Sequence, residues 1–134
     1  MSSPITKIPV ALCDRSNFLP NHAGPQFLRY EMLTFDIMGK VCAEYHGGMW
    51  DFFELSNGGF YMAPDSEKRF RLVWEDNWFD GEMSADAAGI GVSLMAQSWL
   101  SGATNSESLA EKFYQLRDYA ADHAEASAIF GFID

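Results

Sequence analysis

The sequence predicts one α+β domain spanning residues 1–134, with an antiparallel sheet of about four strands in two hairpins packed against three main helices. Three observations carry this. Two strand–turn–strand patterns follow one another in mid-chain, helical periodicities flank them on both sides, and no βαβ alternation is present to build a parallel sheet. A chain of 134 residues fits one domain of ordinary size and can bury a core without disulfides.

The elements are read in chain order. Residues 1–17, broken by Pro4 and Pro9 and followed by Pro20 and Asn21, read as an irregular N-terminal arm. A helix begins near Pro25, where proline is tolerated at the first helical position. Leu28, Met32, Phe35, Met38 and Cys42 form its expected core stripe, and Gly47-Gly48 closes the region. Strand-like runs at Met49–Leu55 and Gly59–Ala63 are joined by Asn57-Gly58, a pair favoured in the two-residue type I′ turn. That turn places Leu55 opposite Phe60 and Phe53 opposite Met62. The other face then carries Trp50, Phe52, Tyr61 and Ala63. Both faces are apolar, so either helices cover both or one is a docking surface, with Trp50 and Tyr61 as candidate contacts.

In the second hairpin Phe70, Leu72 and Trp74 alternate with Arg69, Arg71 and Val73. A loop of Glu75-Asp76-Asn77-Trp78 sets Trp74 opposite Phe79 and Arg71 opposite Glu82, which keeps apolar residues on one side and opposite charges on the other. From Ser84, a suitable N-cap, the period becomes helical, with Asp86 in the first turn and Ile90, Leu94 and Trp99 following to about Gly102. Gly89 and Gly91 cost helix propensity and signal close packing on a neighbour. Thr104-Asn105-Ser106-Glu107 has the capping-box pattern and precedes a stripe of Leu109, Phe113, Leu116, Ala120 and Ala124. The apolar tail from Ile129 to Asp134 should pack on the body.

Composition excludes several classes. A hydrophobic content of 48% rules out disorder, and a net charge of −10 argues against partners that are duplex DNA or an anionic membrane. No segment approaches the ~20 apolar residues of a membrane span. Met1–Leu12 lacks the apolar run of a secretory signal, and the two cysteines, Cys13 and Cys42, read as reduced thiols, so a cytoplasmic location is expected. His22, His46 and His123 form no zinc spacing. His123 and Glu125, two apart, would point in different directions on a helix. No phosphate loop, GxSxG or CxxC motif occurs. The expectation is therefore no catalytic residue, no metal and no cofactor. Between Val73 and Ala110 lie six acids and no base, namely Glu75, Asp76, Asp80, Glu82, Asp86 and Glu107, which fit a solvated face or a docking patch equally.

Several of these segments carry a resemblance. Tyr45-His46-Gly47-Gly48-Met49-Trp50, Asn57 through Pro64, Ser84 through Ile90, and the ending His123-Ala124-Glu125 to Asp134 resemble the hallmark segments of the KlcA/ArdB antirestriction family, from about Phe18 onward. Met49 stands where an aromatic residue is expected. The resemblance implies a protein of plasmids and other mobile elements that protects incoming unmodified DNA from type I restriction enzymes. It further implies a small mixed fold, no known cofactor, and as partner the host restriction enzyme or a factor it depends on. Asp65, Asp86, Glu125 and Asp134 are the shared acids whose chemistry could act on a partner.

Magnitudes decide against global DNA mimicry. A globule of this length is about 36 Å across, and duplex DNA of that length carries about twenty phosphates. Nineteen acids interspersed with nine bases leave only half that charge. Protein binding by a monomer or weak homodimer is the expected mode. Asp134 is its leading contact, followed by Asp80 and Glu82, because an apolar tail should pin the terminal carboxylates against the body. A plasmid-maintenance module acting on host proteins and a small carboxylate hydrolase are the alternatives.

Overall fold

The computed structural model describes residues 4–134, so the first three positions of the expected arm lie outside it. The order is β1 (Lys7–Pro9), α1 (Arg15–Ala23), α2 (Phe27–Val41), β2 (Trp50–Leu55), β3 (Phe60–Pro64), β4 (Arg69–Trp74), β5 (Phe79–Ser84), α3 (Ala85–Thr104), α4 (Glu107–Ala121) and α5 (Ala126–Ile133). The α+β class stands, with antiparallel pairing throughout.

The described part of the arm contains regular elements where irregular chain was expected. Lys7–Pro9 pairs with β2, and α1 runs straight through Pro20. Proline removes one donor there, but Phe18 and Leu19 are buried against the sheet, with Phe18 in ring contact with Phe52 and Phe60, and that burial outweighs the lost bond. Pro25 lies in a short 3₁₀ turn, and α2 begins two residues later. Its core stripe keeps Met38 and Cys42 as predicted but is rotated at its start. Tyr30, Thr34, Ile37, Met38 and Val41 are buried, whereas Leu28 and Met32 are exposed. The polar groups on the buried side are internally satisfied, since Thr34 donates to the Tyr30 carbonyl at 2.8 Å. A count of apolar residues alone misses that.

The β2–β3 hairpin turns at the predicted place with a different loop. The Gly58 amide donates to the Leu55 carbonyl, the Leu55 amide to the Gly59 carbonyl, and Gly58 takes φ +96°. This is a three-residue loop closed by a glycine bulge, not the type I′ pair. Pairing slips by one residue, so Phe53 faces Tyr61 and Phe52 faces Met62. Asn57 selects the longer loop by bonding sideways: its amide nitrogen donates to the Gln115 carbonyl at 2.9 Å and its oxygen accepts from Gly59 at 3.1 Å. Asn57→Ala should therefore lower stability by about 1–2 kcal/mol, read from a urea unfolding midpoint at unchanged slope.

The β4–β5 register is the predicted one, with Trp74 opposite Phe79 and Arg71 opposite Glu82. The two hairpins nevertheless sit in separate sheets, ordered β1-β2-β3 and β4-β5. The reason is α3, which occupies the edge of β3 where another strand would pair. The Ser93 hydroxyl donates to the Met62 carbonyl and accepts from the Met62 amide, both at 3.2 Å, and the Gln97 amide donates to the Phe60 carbonyl at 3.0 Å. Gly89, one turn before Ser93, permits this approach, because a Cβ there would lie 2.3 Å from that of Ala63. Gly91 on another side makes the corresponding room for the Phe132 ring. Helix side chains thus take the place of a neighbouring strand.

One face of the β1-β2-β3 sheet is covered by α1 and α2 through Phe18, His22 and Tyr30 on Phe60. On the other, the Tyr61 ring stacks between Phe53 and Tyr119 of α4. Helices cover both faces, which settles the alternative left by the sequence. Trp50 is 4% exposed and Tyr61 fully enclosed, so neither presents a docking face. The cap of α4 is Ser106, accepting from the Leu109 amide, while Thr104 finishes α3 by donating to the Leu100 carbonyl; the real cap lies two residues after the one the predicted box gives. The tail packs on the body as expected, folded as α5 with Ile129 and Phe132 buried. Among the described residues no helix is long and apolar enough to cross a membrane.

Candidate functional site

Two constellations collect the chemistry-bearing residues. The first lies where the start of α3 meets the α4–α5 connection. Ser84 caps α3 by accepting from the Ala87 amide. Its own amide and hydroxyl donate to the Glu125 carboxylate, which also receives Arg69 at 3.3 Å. Burial would push the Glu125 pKa up, but the Ser84 bonds outweigh it and hold the carboxyl below its ordinary value. Next to it, Asp86 accepts from the Tyr61 hydroxyl at 2.6 Å, from Lys7 at 3.1 Å and from His123 Nε2 at 2.9 Å. Burial opposes ionisation of Asp86, yet these three donors hold its pKa at about 2. Burial and the adjacent Asp86 charge push the Tyr61 phenol upward.

The helix on which His123 and Glu125 would diverge does not reach them. They sit in the turn between α4 and α5, where the Glu125 amide donates to His123 Nδ1 at 2.9 Å. That bond fixes the tautomer: Nδ1 accepts, so Nε2 carries the proton and donates to Asp86. Both ring nitrogens are occupied, and no free lone pair is left to act as a base. The arrangement ties β1, β3, α3 and the α4–α5 turn together. It also absorbs Asp86 and Glu125, two of the four shared acids, in internal bonds. Sequence reasoning missed it because its members come from positions 7, 61, 84, 86, 123 and 125; the motif pair Ser84/Asp86 with His123/Glu125 was the available signal.

The acidic run after Val73 is similarly reduced. Arg71 pairs with Asp80, Arg69 with Glu82, and Lys7 with Asp86, all bases from before the run. Asp80 and Glu82 are exposed but already paired, and the Arg71 bond lowers the Asp80 pKa. They are poor candidates for a partner's cation. Asp65 is exposed beside the Tyr45–Met49 loop, its amide donating to the Met49 carbonyl. Inside that loop the Tyr45 hydroxyl accepts from the Trp50 indole at 2.8 Å, which anchors Trp50 as a core residue. His22 is bonded to Glu54 and stacked on Phe60, with burial lowering its pKa, whereas His46 is exposed. Cys42 is buried as a small hydrophobe and burial pushes its thiol up. Among the described residues no three histidine, cysteine or carboxylate side chains converge on a common point for a metal.

The second constellation is at the opposite end of α3. Trp74 at the end of β4, Asp76 and Asn77 from the β4–β5 loop, Trp99 from α3, Phe113 from α4 and Asp134 surround a concavity of about 390 Å3. Asp134 is exposed there, with its amide bonded to the Phe130 carbonyl at 2.9 Å. Trp78 follows Asn77 in the left-handed region at φ 53° and is 95% exposed.

Comparison with known proteins places this fold. A family model described as "Antirestriction protein" matches residues 43–134. The antirestriction protein KlcA of Escherichia coli is 47% identical, the match covering 98% of this chain and 95% of the relative. A putative antirestriction protein, YubI, of Escherichia coli strain K12 is 38% identical, covering 99% and 98%. A solved structure of the KlcA and ArdB proteins superposes with a TM-score of 0.90 at 40% identity, covering all of this chain and 98% of that one. Those proteins are described as showing a novel fold, and antirestriction activity against type I DNA restriction systems in vivo but not in vitro. With a family model over most of its length and relatives this similar end to end, the chain belongs to the antirestriction protein family.

Proposed function

We propose that this protein protects incoming unmodified DNA from type I restriction by binding a protein, either the restriction enzyme or a factor it depends on, and neither by catalysis nor by imitating a duplex. The observation that carries the reading is the state of the polar residues. Of the two histidine–carboxylate pairs among the described residues, His123–Asp86 is fully consumed in internal bonds, and His22–Glu54 has its imidazole packed between Phe18 and Phe60. Exposed aromatic and acidic groups instead gather around Trp99, Asp76 and Asp134. Activity of the KlcA and ArdB proteins in vivo but not in vitro supports dependence on a cellular component. The pairing of Asp80, Glu82 and Asp86 with bases further dilutes any phosphate-like array. Asp134 is the partner contact assigned here.

The test is plating of unmodified phage on a host with a type I system, with and without this protein, and of modified phage as control. Protection of unmodified phage alone is expected. Equal plating with and without the protein refutes the assignment. Asp134→Asn should reduce protection while moving the melting temperature by no more than about two degrees, as for a surface change below ~0.5 kcal/mol. Undiminished protection by that variant removes Asp134 from the interface.

A further inference from the structure

The concavity beside Trp99 combines aromatic walls with the exposed carboxylates of Asp76 and Asp134. Among the described residues, neither Asp76 nor Asp134 forms an ion pair. The Trp74 and Trp99 rings stand 5.9 Å apart, inclined at 49°. Trp99 remains 44% exposed although it belongs to the most deeply buried helix, above the buried Leu94 and Met95. The rim is held in place: the Asn77 amide donates to the Phe132 carbonyl at 2.7 Å, which ties the loop bearing Asp76 to the helix leading to Asp134. Lys40 approaches the Trp74 ring at 6.0 Å, so that ring already draws a cation.

We infer that this concavity receives an arginine side chain of the protein partner, its guanidinium lying on the Trp74 and Trp99 rings and donating to Asp76 and Asp134. A flat, delocalised cation suits both features at once. It stacks on indole, it matches a carboxylate with parallel N–H donors, and it sheds water more readily than an ammonium. A nucleic-acid base could stack equally well but would bring its phosphates beside two carboxylates on a chain of net charge −10. Tryptophan and arginine are also enriched among the residues that dominate binding energy at interfaces. The inference rests on the protein-binding reading above and gives that partner a chemistry.

The test follows the indole N–H signals of the four tryptophans by NMR while a capped Gly-Arg-Gly peptide is added. A second titration uses the citrulline counterpart, which keeps the shape and loses the charge. The Trp74 and Trp99 signals should move with the arginine peptide, and the citrulline peptide or the Asp76→Asn variant should weaken the response by about tenfold. Equal response to both peptides, no response at these two signals, or an undiminished response from Trp99→Ala overturns the inference. This titration needs no restriction host. An arginine response in a protein that fails to protect phage refutes the antirestriction assignment alone. Full protection by the double variant Asp76→Asn with Trp99→Ala refutes the pocket as the interface.

Discussion

Gly89→Ala is expected to destabilise the protein by about 3 kcal/mol or more and to lower its melting temperature by roughly 10 °C. The new Cβ would stand 2.3 Å from Ala63 Cβ, 2.4 Å from Ala63 Cα and 2.5 Å from the Met62 carbonyl oxygen. None of these atoms can rotate away, so α3 must lift from β3. Lifting stretches the Ser93 and Gln97 bonds that satisfy Phe60 and Met62 inside the core, and each buried group left without a partner costs about 1–3 kcal/mol. Alanine's helix propensity returns only about 1 kcal/mol. Thermal melts followed by circular dichroism decide it. A variant melting within about 3 °C of the parent would mean that the close approach is not under compression.

The sequence made this helix visible and hid what it does. Ser84, Asp86, Gly89 and Gly91 announce a capped helix packed tightly on something, and the β4–β5 register follows from matching charges and apolar faces across a known loop length. Local patterns of that kind survive folding. What did not survive depended on distant partners. The rotated stripe of α2 needed Tyr30 and Thr34 to find internal bonds, and the one-residue slip at Asn57 needed the carbonyl of Gln115, 58 positions away. Trp50 and Tyr61 looked like a docking face because nothing local reveals that α4 and the start of α3 close over Tyr61, or that Tyr45 and Phe35 enclose Trp50. The His123–Asp86–Lys7 cluster was hidden for the same reason. Among the proposed contacts Asp80 and Glu82 are taken by arginines, whereas Asp134 forms no ion pair among the described residues and its role is the proposal tested above.

The second large effect belongs to Asp86. Its carboxyl is held at about 2, below the ordinary 3.8, with its side chain 28% exposed. A depressed carboxyl contributes stability above its unfolded pKa and loses it as pH falls through the folded value. The loss should therefore run from about pH 4 down to about pH 2 and amount to about 2 kcal/mol. Asp86→Asn keeps an acceptor for the Tyr61 hydroxyl but leaves Lys7 without its counter-charge and the His123 Nε2–H without its carboxylate acceptor. At neutral pH the variant should be less stable by about 2–3 kcal/mol. Near pH 2 parent and variant should converge. Urea unfolding at several pH values checks both statements, and parallel profiles for the two proteins would show that Asp86 is not the group responsible.

The hydroxyl of Ser93 holds the Met62 amide hydrogen across 31 positions of sequence. In an ordinary edge strand that hydrogen would meet solvent and exchange for deuterium without any unfolding. Here it is released only when α3 departs, and α3 also carries the seats of Ala63 and Phe132. The slow clock of this one amide therefore times the separation of helix from sheet, and with it the opening of the whole fold.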